Sequence, residues 1–152
     1  MTDKIDWQWY LFEQLKPNQM AAMLALRQEV FVVEQNCPYL DIDGKDPQAM
    51  HLIGWQNQTI IATLRLFESY PDYDNHVSIG RICTAQSVRG KGVGQQLMDQ
   101  VIDYIKQNFP SKKIQIGAQY YLKPFYTSFG FKQISEIYLE DGIEHILMIK
   151  QP

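Results

Sequence analysis

Val88-Arg89-Gly90-Lys91-Gly92-Val93-Gly94 stands between two segments of different periodicity. Before it, Val77-Ser78-Ile79-Gly80-Arg81-Ile82-Cys83-Thr84 is apolar and β-branched and reads as a strand. After it, Gln95 to Phe109 brings apolar residues back every three or four positions, at Leu97, Val101, Tyr104 or Ile105, and Phe109, and reads as an amphipathic helix. The alternating glycines therefore sit where a strand gives way to a helix. Glycine lets the backbone turn sharply and lets a ligand approach the amides, because no Cβ intervenes. A helix start leaves N–H groups unpaired and carries the positive end of the dipole. Together these make a phosphate seat, and Arg89 and Lys91 add positive charge to it. A glycine turn without a ligand is the bland alternative; the strand before, the helix after and the two basic residues within weigh against it.

The common nucleotide loops do not fit. A Walker loop ends in Gly-Lys-Ser/Thr, which this stretch lacks, and the dinucleotide fingerprint requires a glycine where Gln95 stands. The spacing Arg89, Gly92, Gly94 instead resembles the acyl-coenzyme A loop of the GNAT superfamily of N-acetyltransferases. That resemblance implies acetyl-CoA as co-substrate, its pyrophosphate held by backbone amides from Gly90 through Lys91, Gly92, Val93 and Gly94 to Gln95. It also implies that the strand end Ile82-Cys83-Thr84 pairs its backbone with the pantetheine arm.

The 152 residues suffice for one domain with a real core, and 45% hydrophobic with 20% charged residues is ordinary globular composition. The net charge of −3 and the lack of a basic run argue against nucleic acid as a partner. Cys37 and Cys83 form no Cys-x-x-Cys pair and no metal spacing with His51, His76 or His145, so no metal is expected. The start Met1-Thr2-Asp3-Lys4 opens no signal peptide and no apolar run approaches membrane length, which makes the cytoplasm the default.

In chain order the patterns give a strand at Trp7 to Phe12, a break at Lys16-Pro17-Asn18, and a helix from Gln19 through Met20, Met23, Leu24 and Val30 or Phe31. A second short helix follows at 31–35, then a polar loop, Asp41-Ile42-Asp43-Gly44-Lys45-Asp46-Pro47. Its acids invite a calcium reading, but the closing Glu of a calcium loop is absent, and a solvated turn bordering a substrate cleft and favouring a cation fits better. Strands at 51–56, 59–67 and 77–84 precede the glycine loop and long helix; a strand at 113–118, a short helix at 124–129 closed by Gly130, and a hairpin of 131–140 and 143–150 about Asp141-Gly142 complete the chain. This order defines one α/β domain over residues 1–152, a mixed sheet of about seven strands with helices packed on both faces, as the resemblance also implies. The last strand is apolar on both sides and must be covered, either by a second copy in a homodimer or by the same chain.

Tyr126 lies in Phe125-Tyr126-Thr127-Ser128-Phe129-Gly130-Phe131. Its plain reading is core filling. The resemblance adds another, because many members of the superfamily place a Tyr hydroxyl from such a segment near the acetyl-CoA sulfur. A thiol ionises near ~8.5 and a phenol near ~10, so a phenol there can donate to a departing thiolate as general acid. Candidates for the acceptor end and its base are Glu34, His51, Asp141 and His145, each with a structural alternative: a surface charge, a core residue, a turn former and a strand residue in phase with Ile143 and Leu147.

Beyond the superfamily loop, the chain resembles the ElaA-type branch through Phe31 to Tyr39, Asp41-Ile42-Asp43-Gly44, Gly117-Ala118-Gln119, Phe125 to Phe131, and Glu140 to Ile143 with His145. An Asn often follows the fifth strand in the superfamily to hold the cofactor arm; here Gln119 is nearest. The function implied is acetyl transfer from acetyl-CoA to a primary amine of a small molecule or peptide, by direct attack. A non-catalytic acyl-CoA-binding module is the alternative, and an acetyl-Cys83 intermediate ranks below direct transfer because no His adjoins Cys83 in sequence.

Overall fold

The computed structural model describes residues 4–152, so the reading of Met1-Thr2-Asp3 lies outside the described residues. Its elements are β1 (Asp6–Leu11), α1 (Pro17–Arg27), β2 (Met50–Gln56), β3 (Thr59–Tyr70), β4 (His76–Thr84), α2 (Val93–Asn108), β5 (Ile114–Gln119), α3 (Lys123–Thr127), β6 (Lys132–Gln133), β7 (Tyr138–Glu140) and β8 (Ile143–Lys150). They build one mixed sheet in the order β1-β2-β3-β4-β5-β8-β6, with β7 also on β8. Only β4 and β5 run parallel among the described pairs.

Pleat alternation places the layers. On β2, Leu52 faces a core shared with Leu97, Met98 and Val101 of α2, while its neighbour Ile53 faces Met23 of α1. The sheet is thus covered on both faces, as expected. Pro17 begins α1 rather than preceding it, because the first helical position has no use for an N–H. Gln19 Oε1 accepts the Lys16 N–H at 2.9 Å and completes the start. The helix then widens into a π-turn at Gln28–Glu34, closed by Cys37 N–H donating to Val32 O at 3.0 Å. The second short helix is therefore a continuation of the first.

The strand expected over 131–140 is two strands, which makes eight among the described residues. Leu147 N–H donates to Ser135 Oγ at 2.8 Å, a side chain standing where a backbone acceptor would pair, so the ladder breaks between β6 and β7. The last strand, β8, lies between β5 and β6/β7 with Ile146 and Met148 fully buried. Its cover comes from its own chain, which removes the reason for expecting a homodimer.

β4 and β5 meet only at Val77 and Ile114, where Val77 N–H donates to Lys113 O at 3.1 Å. Past this pair the strands diverge and the edge of β4 is left open. On its other edge, β4 is paired with β3 through a bulge: Thr63 opposes Cys83 but Arg65 opposes Gly80, and Arg81 takes φ 50°.

Candidate active site

The diverging strands open a cleft of about 1020 Å3 that passes the ends of β4 and β5. Ile82, Cys83 and Thr84 line one side of it, Gly117, Ala118 and Gln119 the other, and Arg89, Gly90, Gly92, Val93 and Gly94 its phosphate-loop end. The loop turns through Gly90 and Gly92, both at φ 78°, a conformation that costs a side-chain-bearing residue. Gly92 caps α2, and Gln96 N–H is the first to bond back, to Gly92 O at 3.1 Å. Among the described residues, the N–H groups from Gly90 to Gln95 donate to no protein acceptor. A row of free amides at the start of a 16-residue helix thus borders the cleft. Lys91 and Gln95 are exposed and lie outside the cleft lining.

The segment after α1 spans the cleft. Glu34 receives Arg89 Nη1 at 2.7 Å, while Arg89 Nη2 donates to Thr84 O at 3.1 Å. The ion pair is more than a third exposed and is worth little stability. Gln35 exchanges amide hydrogen bonds with Gln119 at 3.3 and 3.4 Å. Cys37 is buried and donates its S–H to Asp141 O at 3.4 Å. Glu34, Asp141 and His145 all line the cleft. His51 does not: it is buried on β2, its Nε2 3.0 Å from Asp46 O and its ring against Phe12. Burial lowers its pKa, more than the Asp46 carbonyl and carboxylate restore.

Tyr126 projects from α3 into the middle of the cleft wall. It is 6% exposed, with its ring edge-on to Phe125 and Phe131. Among the described residues its hydroxyl forms no hydrogen bond. Burial, with a smaller push from Tyr121, raises its pKa well above the ordinary phenol value. Cys83 packs with Leu26 and Val30, and burial pushes its thiol up to about 12.

Two acids of the 41–46 loop, Asp41 and Asp46, are buried rather than solvated, while Asp43 stays at the surface. Arg27, 1% exposed, donates to Asp41 at 2.9 Å and Asp46 at 2.8 Å; Arg65 holds Asp43 at 2.7 Å and Asp46 at 3.0 Å; Arg81 reaches Asp41 at 2.9 Å. The loop therefore offers no spare charge to a cation, and among the described residues no cluster of His, Cys, Asp or Glu has metal-binding geometry. Sequence reading missed this network, although Arg27 in the apolar stripe of a helix and Arg65 within an apolar strand run are the signal of buried charge that needs partners. Arg27→Met is expected to destabilise the fold by about 3–5 kcal/mol, since buried Asp41 and Asp46 each lose one of two cationic partners and three carboxylates are left to two guanidiniums; denaturant unfolding reads this, and a loss under about 1 kcal/mol contradicts it. Burial alone would raise the carboxyls of Asp43 and Asp46, but hydrogen bonds and charge from Arg65, joined by Arg27 at Asp46 and by the Lys45 N–H and Arg81 at Asp43, hold both below the usual range. Their contribution is therefore fully present above the unfolded value of about 4 and lost as pH falls below it. Thermal stability is expected to decline in two stages, first as pH falls below about 6.5, where unfolded His51 binds a proton that its buried site disfavours, and again below about 4 as the carboxylates are protonated; stability that rises as pH falls from about 7 to about 5, or is unchanged below about 4, contradicts this.

The comparisons agree with this geometry. A family model described as acetyltransferase (GNAT) domain matches residues 29–152. Protein ElaA of Escherichia coli (strain K12) is 44% identical over 149 residues, covering 97% of both chains. The crystal structure of Escherichia coli ElaA matches with a TM-score of 0.90 at 43% identity, over 97% of this chain and 100% of that one. An acyl-CoA N-acyltransferase from Pseudomonas aeruginosa gives 0.91 at 36% identity, over 97% and 99%. The chain belongs to the GNAT acetyltransferase family, and its mixed sheet is the acyl-CoA N-acyltransferase fold. Among the described residues no helix is long and apolar enough to cross a membrane.

Proposed function

We propose that this protein transfers the acetyl group of acetyl-CoA to a primary amine by direct attack. The observation that carries the reading is the row of unpaired amides from Gly90 to Gln95 at one end of a cleft whose wall holds the unpartnered Tyr126 hydroxyl. The residues fit the co-substrate: free N–H groups and Arg89 suit a diphosphate, the open edge of β4 at Ile82, Cys83 and Thr84 suits the amides of a pantetheine arm, and the Gln119 amide is placed to meet that arm if it exchanges Gln35. Bound acetyl-CoA supplies an activated acyl group, which passes to the amine as a C–N bond forms and the C–S bond breaks. Backbone N–H groups at the β4 bulge, near Ile82 to Thr84, stabilise charge on the acyl oxygen. Tyr126 donates its proton to the departing sulfur, the attacking nitrogen gives up its surplus proton to solvent in the open cleft, and the phenol regains a proton from that solvent. The burial that raises the Tyr126 phenol also disfavours a bare thiolate beside it, so the phenol remains a useful donor to that sulfur.

The same burial disfavours Cys83 as a nucleophile, because the thiolate is the reactive form. Cys83→Ala is expected to change kcat less than about threefold, which initial-rate measurement checks; a loss of about a hundredfold or more would restore the acetyl-cysteine route. Thiol release from acetyl-CoA across a panel of primary amines tests the reaction itself: release above the hydrolytic background is expected for at least one, and none across all contradicts catalysis.

A further inference from the structure

On the face of the sheet away from α2, the floor between the diverging strands is bare. Ser78 and Gly80 of β4 and Gly117 of β5 line it, and a Cβ on Gly80 would meet nothing within 4 Å. A Cβ on Gly117 would lie 3.0 Å from the hydroxyl of Tyr138 and 3.1 Å from that of Tyr73. These phenols come from separate segments, the turn Pro71–Tyr73 and strand β7, and converge on one point of the cleft. Neither hydroxyl has a hydrogen-bond partner among the described residues. Burial raises the pKa of both, aided at Tyr73 by Tyr138 and Glu140 and at Tyr138 by Glu140, so both are protonated at neutral pH.

The charges around this point are unequal. Arg65 and Arg81 line the cleft but are ion-paired with Asp41, Asp43 and Asp46, and Lys45 is a cation on the same cleft whose ammonium donates to the neutral Tyr70 hydroxyl at 2.7 Å. Glu140 is 59% exposed and meets only His145 Nε2, at 3.2 Å, while Asp141 forms no ion pair among the described residues. Beside the Tyr73 and Tyr138 phenols, this leaves Glu140 and Asp141 as the cleft acids that no arginine holds among the described residues.

Resting on the acetyl-transfer reading, we propose that Tyr73, Tyr138 and Glu140 form the acceptor subsite and select an amine that carries a second positive charge, as a diamine does. The phenol oxygens accept from the ammonium or amine N–H groups, and Glu140 faces the second charge. An acceptor with a carboxylate in that place meets Glu140 and Asp141 and is rejected.

Three acceptors of equal chain length separate the outcomes: 1,4-diaminobutane, n-butylamine and 4-aminobutanoate, each assayed by thiol release from acetyl-CoA. The diamine is expected to exceed butylamine in kcat/KM by about tenfold, with aminobutanoate lowest. Glu140→Gln is expected to shrink the diamine preference about fivefold, and Tyr73→Phe and Tyr138→Phe to raise the diamine KM about fivefold, all with unchanged affinity for coenzyme A by calorimetry. Equal rates for diamine and monoamine, preference for aminobutanoate, transfer to none of the three by protein that binds coenzyme A, or a preference indifferent to Glu140→Gln would each overturn the assignment. Wild-type protein that fails to bind coenzyme A would instead overturn the acetyl-transfer reading beneath it.

Discussion

Tyr126→Phe is expected to lower kcat by about 10²–10³-fold while leaving the affinity for coenzyme A within about twofold. The change removes one oxygen from a ring that is otherwise held by Phe125 and Phe131, so packing is preserved. Because the hydroxyl has no protein partner among the described residues, its loss strands no buried donor or acceptor, and stability is expected to change little. A fall in kcat without a fall in affinity isolates an interaction made as the sulfur departs. Equal turnover in both proteins, measured at saturating acetyl-CoA with any accepted amine, would return Tyr126 to a packing role.

Gly92→Val is expected to weaken coenzyme A binding by about a hundredfold or more. Gly92 sits at φ 78° as the cap of α2, and a Cβ there would stand in open space beside the free amides. The substitution strains the backbone by about 1–3 kcal/mol and puts a branched side chain at the phosphate seat. Gly44 supplies the control: it has φ 80°, equally open surroundings, and no place in the cleft wall. Gly44→Val should lower the melting temperature to a similar extent and leave coenzyme A binding intact, as calorimetry on both variants would show. Equal loss of binding in the two would mean that strain, rather than the seat, is responsible.

The legible parts of this fold were those that local chemistry decides. Alternating glycines between a β-branched run and an amphipathic helix fix the loop at 88–94, and Asp141-Gly142, with φ values of 51° and 77°, turns the terminal hairpin as such a pair must. Proline at 17 misled because its meaning depends on which side of a boundary it occupies. What the sequence hid depends on distance along the chain. Arg27 finds Asp41 and Asp46, and the Tyr73 and Tyr138 hydroxyls meet over Gly117, only once the sheet is assembled. His51 and His145 looked alike as histidines in apolar strands; β2 buries the first against Asp46 O, while the hairpin carries the second to the cleft. The separation of β4 from β5 has no local signature at all, since it is the absence of pairing beyond Val77 and Ile114.

In the proposed reaction, amide hydrogens at the start of α2 grip the diphosphate of the co-substrate. Calorimetric titration with coenzyme A and, separately, with pantetheine, which has the same thiol arm and no diphosphate, tests this most directly. Coenzyme A is predicted to bind at least about a hundredfold more tightly than pantetheine. Equal affinities for the two, or no binding of coenzyme A, would contradict the account.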